Sequence, residues 1–453
     1  MRNYFEDTIA AISTALANGA ISIVRLSGDE AISIVNSCFK GKDLTKVASH
    51  TVHYGHIYDG CELIDEVLVS VFKAPKTFTK EDVVEINCHG GIYVTNKILE
   101  LVLTKGAKLA EPGEFTKRAY LNGRIDLTQA ESVMDVIEAK TKSSLKMANY
   151  GLNGETKKLI DGFKERILKC ILEIEVNIDY PEYEDEVQVN KEVLKPTVNS
   201  LIDDLKIIIN KADEASIIKK GLKTAIIGKP NVGKSSLLNA LLKEDKAIVT
   251  NIAGTTRDIV EGDINVGGIL LHLIDTAGVR NTTDTVEQIG VEKTRKILDE
   301  AELIMLVFDY SEKLDKIDLD LLEKTKEKNR LIIVNKNDLK KAINLDQFDD
   351  YLLISSFNEK DIENVVAKIK EICSISDVTD IDSSYIGNSR QMALLRKCFE
   401  SLTEAKKEIE NNELIDLINI DLTNAYNCLL EILGEKASFD LVDEMFSRFC
   451  LGK

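Results

Sequence analysis

The hydrophobic and polar positions divide the chain into stretches with two different periodicities. Between residues 217 and 378, short continuous apolar runs alternate with amphipathic stretches and are bounded by turn residues. The apolar runs lie at 222–227, 269–274, 303–308 and 331–334. Central strands of a parallel sheet are apolar along their whole length because helices cover both faces. This stretch therefore predicts an α/β domain with a mostly parallel sheet.

The first 118 residues also mix strand and helix patterns. Short segments rich in Val and Ile at 20–26, 66–72 and 82–87 predict strands. Apolar residues recur at helical spacing over 91–105, which predicts a helix. We expect a second, N-terminal α/β domain here.

Two amphipathic stretches flank the central α/β region. In the first, the spacing of four, four, three and four residues places one set of side chains on a single helix face: Phe163, Ile167, Ile171, Ile174 and Ile178. In the second, two helical stripes are predicted, one of Met392, Leu395, Phe399 and Leu402, the other of Leu422, Ala425, Leu429 and Ile432. An acidic loop is expected at 180–186.

The two helical stretches predict one discontinuous helical domain that carries the central α/β domain as an insertion, since the ends of a domain often lie close together. A length of 453 residues fits about three domains. The predicted boundaries are 1–118 for the N-terminal domain, 119–216 and 379–453 for the two parts of the helical domain, and 217–378 for the inserted domain.

Composition excludes several classes of protein. The 58 basic and 76 acidic residues give a net charge of −18, so the chain should bind RNA poorly unless a basic partner or patch helps. No apolar run approaches the roughly 18 residues of a membrane span, and the acidic start does not resemble a signal peptide. The 8 cysteines are too dilute for a disulfide scaffold. We expect a cytoplasmic protein that does not enter a membrane.

One motif predicts phosphate binding. Residues 228–235 read GKPNVGKS, follow an apolar run and precede a predicted helix, which is the strand–loop–helix context of a P-loop. Its backbone N–H groups would surround phosphate oxygens. Lys234 would reach the β- and γ-phosphates, and the Ser235 hydroxyl would bind Mg²⁺.

Two further motifs identify the nucleotide. Residues 275–278 (DTAG) follow the second apolar run, where Asp275 can hold Mg²⁺ through water. Residues 335–338 (NKND) follow the fourth, and the Asp338 carboxylate can accept both the N1–H and the 2-amino group of guanine, which adenine does not offer. Ser355 and Ser356 fit the supporting loop only loosely. The three motifs in this order predict a GTPase.

The residues that would assist hydrolysis are less clearly defined. Ras-type enzymes place a water-orienting glutamine after the second motif, but this chain has Val279 there. Arg257 and Arg280 are candidates for a stabilising charge, or are solvated loop arginines. Glu287 is a candidate for orienting water. A monovalent cation held by Asn231 and the loop at 250–256 is an alternative source of positive charge.

Two other groups of residues have a structural and a chemical interpretation. His50, His53 and His56 could suggest a metal, but residues three apart on a strand do not share a face, so we predict an ordinary hairpin. Cys450 could be a small apolar plug that closes the helical domain, or a reactive thiolate near the cations of Arg448 and Lys453.

The chain resembles the tRNA-modifying GTPases of the MnmE (TrmE) type, which act on the wobble uridine. The similarity covers nearly the whole chain. Its most specific segments are DTIAA at 7–11, IVRLSG at 23–28, EDVVEI at 81–86 with HGG at 89–91, GEFT at 113–116, LNGR at 121–124, LTQAE at 127–131, GTTRD at 254–258 and the terminal FCLGK at 449–453.

The resemblance implies an N-terminal domain like tetrahydrofolate-binding domains, which also forms a homodimer, a central helical domain and an inserted Ras-like domain. It implies a complex with a partner of the MnmG (GidA) type that uses FAD and NADH, and action on tRNA. The pair would add an aminomethyl or carboxymethylaminomethyl group to carbon 5 of uridine 34, with the one-carbon unit from 5-formyl- or 5,10-methylene-tetrahydrofolate.

The resemblance also assigns site residues. Folate would contact Arg25, Glu85, Arg124 and Lys453. K⁺ would be held by Asn231, Thr250, Ile252 and Thr255, and Mg²⁺ by Ser235 and Thr256. The catalytic candidates are Glu287, Arg280 and Cys450. The GTP-binding set is Asn231, Val232, Gly233, Lys234, Ser235, Ser236, Thr250, Asn251, Ile252, Ala253, Gly254, Thr255, Thr256, Asp275, Thr276, Ala277, Gly278, Asn335, Lys336 and Asp338.

One segment departs from the family. The loop that carries two prolines and an arginine in family members reads ALANGA at 15–20, which bears on the folate pocket and the dimer contacts. The alternative function is a ribosome- or RNA-assembly GTPase that acts as a nucleotide-dependent switch without one-carbon chemistry.

Overall fold

The computed structural model describes residues 7–179, 191–244, 262–274, 296–372, 386–436 and 439–452. The strands of one sheet are β1 (Ile9–Ile12), β2 (Ile21–Ser27), β3 (Phe39–Lys40), β4 (Thr51–Asp59), β5 (Glu62–Phe72), β6 (Val83–His89) and β7 (Lys108–Leu109). The strands of the other are β8 (Leu222–Ile227), β9 (Gly262–Val266), β10 (Ile269–Leu273), β11 (Leu303–Asp309), β12 (Arg330–Asn335) and β13 (Leu352–Leu353).

The helices up to the second sheet are α1 (Ala31–Cys38), α2 (Ile92–Thr104), α3 (Glu114–Leu121), α4 (Leu127–Glu138), α5 (Lys142–Leu152), α6 (Glu155–Asp179) and α7 (Lys191–Lys220). Those that follow are α8 (Lys234–Glu244), α9 (Lys316–Lys324), α10 (Glu359–Ile372), α11 (Ser389–Glu410), α12 (Ile415–Leu433) and α13 (Phe439–Ser447).

The chain forms two compact units. The first unit comprises Met1–Met134 and Leu430–Lys453, and the second comprises Asp135–Leu429. The predicted division into an N-terminal domain, an inserted α/β domain and a helical domain in two parts stays a prediction.

The first unit is built on a sheet with the strand order β3-β4-β5-β6-β2-β1-β7, in which only the β1–β7 pair is parallel. Val24 and Leu26 of β2 are buried in a core that also contains residues of α1 and α2. Successive side chains of a strand point to opposite faces, so Arg25 lies on the other face. There it is directly opposite Glu85 of β6.

The hairpin predicted around the three histidines is confirmed. Strands β4 and β5 pair antiparallel, with His53 opposite Val69 and His56 opposite Glu66. His50 precedes β4 and has a left-handed backbone, with φ of 62°. In the part of the chain that the structure describes, no cluster of His, Cys, Asp and Glu side chains could hold a metal ion.

The second unit contains the mostly parallel sheet that the apolar runs predicted. Its order is β13-β12-β11-β8-β10-β9, and only the β9–β10 pair is antiparallel. Every residue of β11 is buried, which explains why the sequence there is apolar without alternation. Since β8, β11 and β12 are adjacent and parallel, the loops after β8 and β12 lie at the same edge of the sheet.

Helical packing agrees with most of the predicted stripes. Four members of the α6 set are buried: Phe163, Ile167, Ile171 and Ile174. All four members of the α12 stripe are buried as well: Leu422, Ala425, Leu429 and Ile432. The stripe predicted for α11 is rotated, because α11 packs along α7 and its buried face is centred on Leu394, Leu395 and Cys398. Met392 and Phe399 are only half-buried at its edge. No helix within the described ranges is both long and apolar enough to cross a membrane.

Candidate functional site

The loop between β8 and α8 has the geometry of a phosphate-binding loop. It leaves the carboxyl end of a buried strand and leads into the first turn of α8, whose N–H groups are free of partners within the helix. Gly233 has φ of 99°, and a Cβ there would lie 2.1 Å from the Asn335 Nδ2 atom. Only glycine is compatible with both the backbone and this close approach.

Lys234 begins α8 and is held against the loop. Its Nζ donates hydrogen bonds to the carbonyl oxygens of Gly228 at 2.6 Å and Lys229 at 2.5 Å. Burial lowers the pKa of Lys234, because the charged ammonium is poorly solvated there. Phosphate oxygens placed beside this ammonium would stabilise its charged form.

Asn335, at the end of β12, ties the two nucleotide motifs together. Its Nδ2 donates to the carbonyl oxygen of Val232 at 3.1 Å. Its Oδ1 accepts from the Ser356 backbone N–H at 3.1 Å and from the Ser356 hydroxyl at 2.9 Å. The residue is 2% exposed, so these bonds are shielded from water. Ser355 and Ser356, which the sequence suggested only loosely, therefore belong to the same site.

A cleft of about 390 Å³ lies where these loops meet. We call it the P-loop cleft; it is lined by Asn231, Gly233, Lys234, Ser235, Ser236, Asn335, Lys336, Asp338, Leu339, Ser355, Ser356 and Phe357. The sequence motifs identified eight of these positions as site residues, in two groups about a hundred residues apart. Leu339 and Phe357 were missed, although each directly follows a segment that the motifs had indicated.

Lys336 is held in place by an acidic neighbour. It has a left-handed backbone, with φ of 66°, and its Nζ contacts Asp309 Oδ2 at 2.5 Å. Burial opposes ionisation of Asp309, but hydrogen bonds from Lys336 and Ser311 outweigh it and keep the pKa of Asp309 below its usual value. The pair orients the lysine beside Asp338 at the wall of the cleft.

Several predicted site residues lie outside the described residues. They are Thr250, Asn251, Ile252, Ala253, Gly254, Thr255, Thr256, Asp275, Thr276, Ala277, Gly278, Arg280, Glu287 and Lys453. Their predicted roles in binding GTP, K⁺, Mg²⁺ or folate and in catalysis stay predictions.

The first unit contains a second concave site, built around an ion pair. Arg25 Nε donates to Glu85 Oε1 at 2.9 Å across the β2–β6 pair. The same guanidinium lies over the Phe115 ring at 5.7 Å, and its NH1 group donates to the carbonyl oxygen of Gly452 at 3.2 Å. Both charges are partly buried and therefore fixed in orientation.

A cavity of about 540 Å³ lies beside this pair, and we call it the first-unit cavity. Arg25, Glu85 and Arg124, the described members of the predicted folate set, all line it. The Arg124 guanidinium lies over the Phe78 ring at 5.0 Å. The remaining lining residues are His50, Phe72, Pro75, Lys76, Thr77, Phe78, Lys80, Val83 and Val133.

The segment at 75–80 was missed by sequence reasoning because it contains no recognisable motif. It is fastened to the turn that carries Arg124: Lys80 Nζ donates to the carbonyl oxygens of Asn122 at 3.0 Å and Gly123 at 2.8 Å. The divergent loop at 15–20 lies elsewhere, with Gly19 donating to the Gly90 carbonyl oxygen at 2.8 Å. No residue of that loop is among the described residues that line the cavity.

The interpretation of Cys450 as an apolar plug is wrong. Its side chain is exposed. Phe446 and Phe449 fill the interior at this point, where their rings pack together at 5.1 Å. Because these larger side chains occupy the apolar space, the thiol is left at the surface.

Comparison with known proteins shows the family to which the chain belongs. Residues 8–124 match the family model described as the GTP-binding protein TrmE N-terminus, and residues 127–450 match the MnmE helical domain. A tRNA modification GTPase MnmE of Acholeplasma laidlawii is 50% identical over 98% of this chain and 99% of its own. The MnmE protein of Lactococcus lactis strain IL1403 is 50% identical over 99% of this chain and 98% of its own. The chain belongs to the MnmE family.

Membership of the MnmE family confirms the resemblance on which the sequence predictions relied. The predicted fold class is also confirmed, by the two family models and by the mostly parallel second sheet. Among solved structures, the FeoB G-domain of Methanococcus jannaschii is 23% identical over 34% of this chain and 98% of that chain. Its TM-score of 0.25 is too low to support a conclusion.

Proposed function

We propose that this MnmE-family chain couples GTP hydrolysis to chemistry at carbon 5 of the wobble uridine of tRNA. Family membership makes the chain a GTPase of tRNA modification that uses GTP and Mg²⁺. The proposal that the cleft binds GTP rests on the Asn335 carboxamide. This group joins the P-loop at Val232 to the turn at Ser356, and both lie in one cleft.

Within the P-loop cleft, each group has a distinct proposed task. Lys234 binds the β- and γ-phosphates, and Asp338 accepts hydrogen bonds from the guanine edge. The Ser235 hydroxyl lines the cleft at the start of α8 and is the kind of hard oxygen donor that Mg²⁺ prefers, with Thr256 as its proposed partner. When bound, Mg²⁺ would neutralise charge on the phosphate oxygens.

We propose that K⁺ supplies the charge that Ras-type enzymes take from an arginine finger. Asn231 supports this, since its exposed side chain lines the cleft with a carbonyl oxygen available as a ligand. Thr250, Ile252 and Thr255 would complete the ligand set. Ras-type enzymes orient the attacking water with a glutamine, and this chain has Val279 at that position. Glu287 would orient the water instead, and Arg280 would add positive charge.

We propose that the first-unit cavity holds a tetrahydrofolate derivative, either 5-formyl- or 5,10-methylene-tetrahydrofolate. Its lining supports this: two guanidinium groups can bind carboxylates, the Glu85 carboxylate can accept from a pterin ring, and Phe78 offers an apolar surface. Lys453 is the fourth proposed contact. The exposed Cys450 thiol is a candidate for a catalytic role in the one-carbon chemistry. If the Cys450→Ser variant forms the same tRNA product as wild type, Cys450 has no such role.

The proposed assembly is a homodimer in the cytoplasm with an MnmG (GidA)-type partner that uses FAD and NADH. The net charge of −18 supports a partner that carries much of the tRNA phosphate binding. The product would be an aminomethyl or carboxymethylaminomethyl group on uridine 34. We also propose the division into an N-terminal domain, a helical domain in two parts and an inserted GTPase domain.

Base selectivity tests the nucleotide part of the proposal. The wild-type chain should bind GTP at least roughly a hundredfold more tightly than ATP, because Asp338 reads groups that adenine lacks. Asp338→Asn should reverse the preference toward xanthosine triphosphate, whose C2 oxygen accepts from an amide. Asp346→Asn, an exposed aspartate nearby, serves as the control. Equal binding of GTP and ATP would refute the assignment.

Two further experiments test the remaining parts. GTP hydrolysis should be much faster in KCl than in NaCl at equal ionic strength, and Asn231→Lys should abolish the difference by placing an ammonium in the cation site. Mass spectrometry of tRNA from a deletion strain should show an unmodified wobble uridine. A normal wobble uridine would favour the RNA-assembly alternative.

A further inference from the structure

Phe357 is an aromatic residue whose exposure the fold does not explain. Its side chain is 88% exposed, the highest value among the large hydrophobic residues that the structure describes. A single exposed hydrophobic side chain is common on protein surfaces, so its position relative to the cleft matters more than its exposure. Here the ring lines the P-loop cleft together with Lys336 and Asp338.

The exposed ring is carried by a well-fixed turn. The Asn358 N–H donates to the Ser355 carbonyl oxygen at 2.9 Å, and the Ser355 N–H donates to Asp361 Oδ2 at 2.8 Å. Ser356 is bonded to the buried Asn335 through both its N–H and its hydroxyl. The turn that carries the Phe357 ring is therefore fixed to Asn335, which begins the 335–338 segment that contains Asp338.

Phe357 stands between two concave surfaces of different chemistry. On one side is the P-loop cleft, with the Asp338 carboxylate that reads a base edge. On the other is a groove of about 550 Å³ with a mixed lining that includes Lys243, Glu359 and the apolar Ile362. A flat aromatic face can stack on a planar heterocycle, and Asp338, which would read the edge of such a heterocycle, lies on the cleft side.

We propose that the Phe357 ring stacks on the guanine base of the bound nucleotide and sets much of its affinity. The inference rests on the proposed function of the P-loop cleft and adds a residue to it. Asp338 reads the edge of the base, whereas Phe357 covers a face. Every purine has such a face, so the ring contributes affinity and Asp338 contributes the choice of base.

Affinity measurements separate the two roles. Phe357→Ala should weaken binding of both GTP and GDP about tenfold, within the range known for base–aromatic stacking. The ratio of GTP to GDP affinity should not change, because GTP and GDP differ only in the γ-phosphate and the proposed contact is with the base. Phe357→Tyr should retain nearly wild-type affinity, and both variants should keep the preference for GTP over ATP.

A fluorescence experiment reports the contact directly. The chain contains no tryptophan, so Phe357→Trp introduces a single tryptophan that can be excited selectively at about 295 nm, where the 12 tyrosines absorb little. Its fluorescence should be quenched when GDP is added and should respond little to ADP at the same concentration. Tyr93→Trp, at a 78% exposed position in the first unit, is the matched control and should not respond to GDP.

The outcomes distinguish this inference from the proposed function. If Phe357→Ala binds GDP as tightly as wild type, or the tryptophan at 357 does not respond to bound GDP, the stacking proposal is overturned while the GTPase assignment stands. If the wild-type chain itself shows no preference for guanine nucleotides, both fail. A thermal unfolding curve for each variant establishes that the fold is retained.

Discussion

Lys234 of the P-loop cleft and Arg25 of the first-unit cavity are held in different ways. In the cleft, Lys234 and Asn335 are positioned by main-chain groups, so the hydrogen bonds that fix them leave the lysine charge available. In the cavity, Arg25 is positioned by Glu85, an opposite charge. A ligand of Lys234 meets an ammonium held by neutral carbonyls, whereas a ligand of Arg25 must share a guanidinium with a carboxylate.

This difference has an energetic consequence. A buried cation without a nearby anion is costly until a ligand supplies one, so binding of phosphate and stabilisation of the loop should be strongly coupled. A cation that already has its counter-charge gains less from each new contact. We therefore expect loss of the Lys234 charge to change nucleotide affinity more than loss of the Arg25 charge changes affinity for a ligand of the cavity.

The largest effect is expected at Gly233. Gly233→Ala should weaken GTP binding at least roughly a hundredfold, because a Cβ would collide with Asn335 and separate the two loops. Isothermal titration with GDP measures this directly. Gly162→Ala in α6 is the control, since a Cβ there meets nothing within 4 Å and should leave binding unchanged. A Gly233→Ala variant with wild-type affinity would show that the hydrogen bond between Asn335 and the P-loop is not needed for nucleotide binding.

A smaller effect is expected in the first-unit cavity. Arg25→Ala should weaken binding of 5-formyltetrahydrofolate about tenfold, the loss of one charge-assisted contact that is already shared with Glu85. GDP binding should not change. Lys42→Ala, an exposed cation of the same unit, should alter neither affinity. A loss above a hundredfold would show that the two sites do not differ in the way described.

The smallest effect concerns stability and pH. Asp7 accepts from Lys108 at 2.8 Å and from the fully buried Arg118 at 2.8 Å. The Lys108 hydrogen bond lowers the pKa of Asp7; burial opposes this, and Arg118 adds to the lowering. Because the pKa is lower in the folded state, the stabilisation is present above the unfolded value of about 3.9 and is lost as the pH falls through the folded value.

Asp7→Asn should therefore reduce the free energy of unfolding by about 1 kcal/mol at pH 7. The difference from wild type should shrink as the pH falls below the unfolded pKa of about 3.9 and disappear once the pH is below the lowered pKa of folded Asp7. Urea unfolding at pH 7 and at lower pH values measures this, with the exposed Asp59→Asn as a control. A difference that stays constant with pH would mean that Asp7 acts through packing rather than through its charge pairs.

The sequence predicted the P-loop cleft well because its information is local. The glycines, Lys234 and Asp338 lie in short motifs at the carboxyl ends of strands, and a parallel sheet brings such ends to one edge. The first-unit cavity depends on long-range pairing instead. Arg25 and Glu85 are 60 residues apart, and only the register of β2 against β6 makes them neighbours. That register follows from the whole sheet, so the residues alone could suggest it only through the family resemblance.

Exposure was the other property that the sequence could not supply. Cys450 is at the surface because two phenylalanines occupy the interior beside it. Phe357 is 88% exposed, although phenylalanine is a residue type that is usually buried. The exposure of Cys450 depends on which neighbour fills the available space, and a pattern of apolar residues in the sequence does not encode that competition.

The Asn335 carboxamide makes recognition of the two ends of a nucleotide interdependent. A base that fits poorly against Asp338 would strain the Ser356 turn, and the same amide would transmit that strain to the Val232 carbonyl and the phosphate loop. A substitution at Asp338 that changes the preferred base would therefore have to leave Asn335 in place, because its carboxamide also holds the phosphate loop.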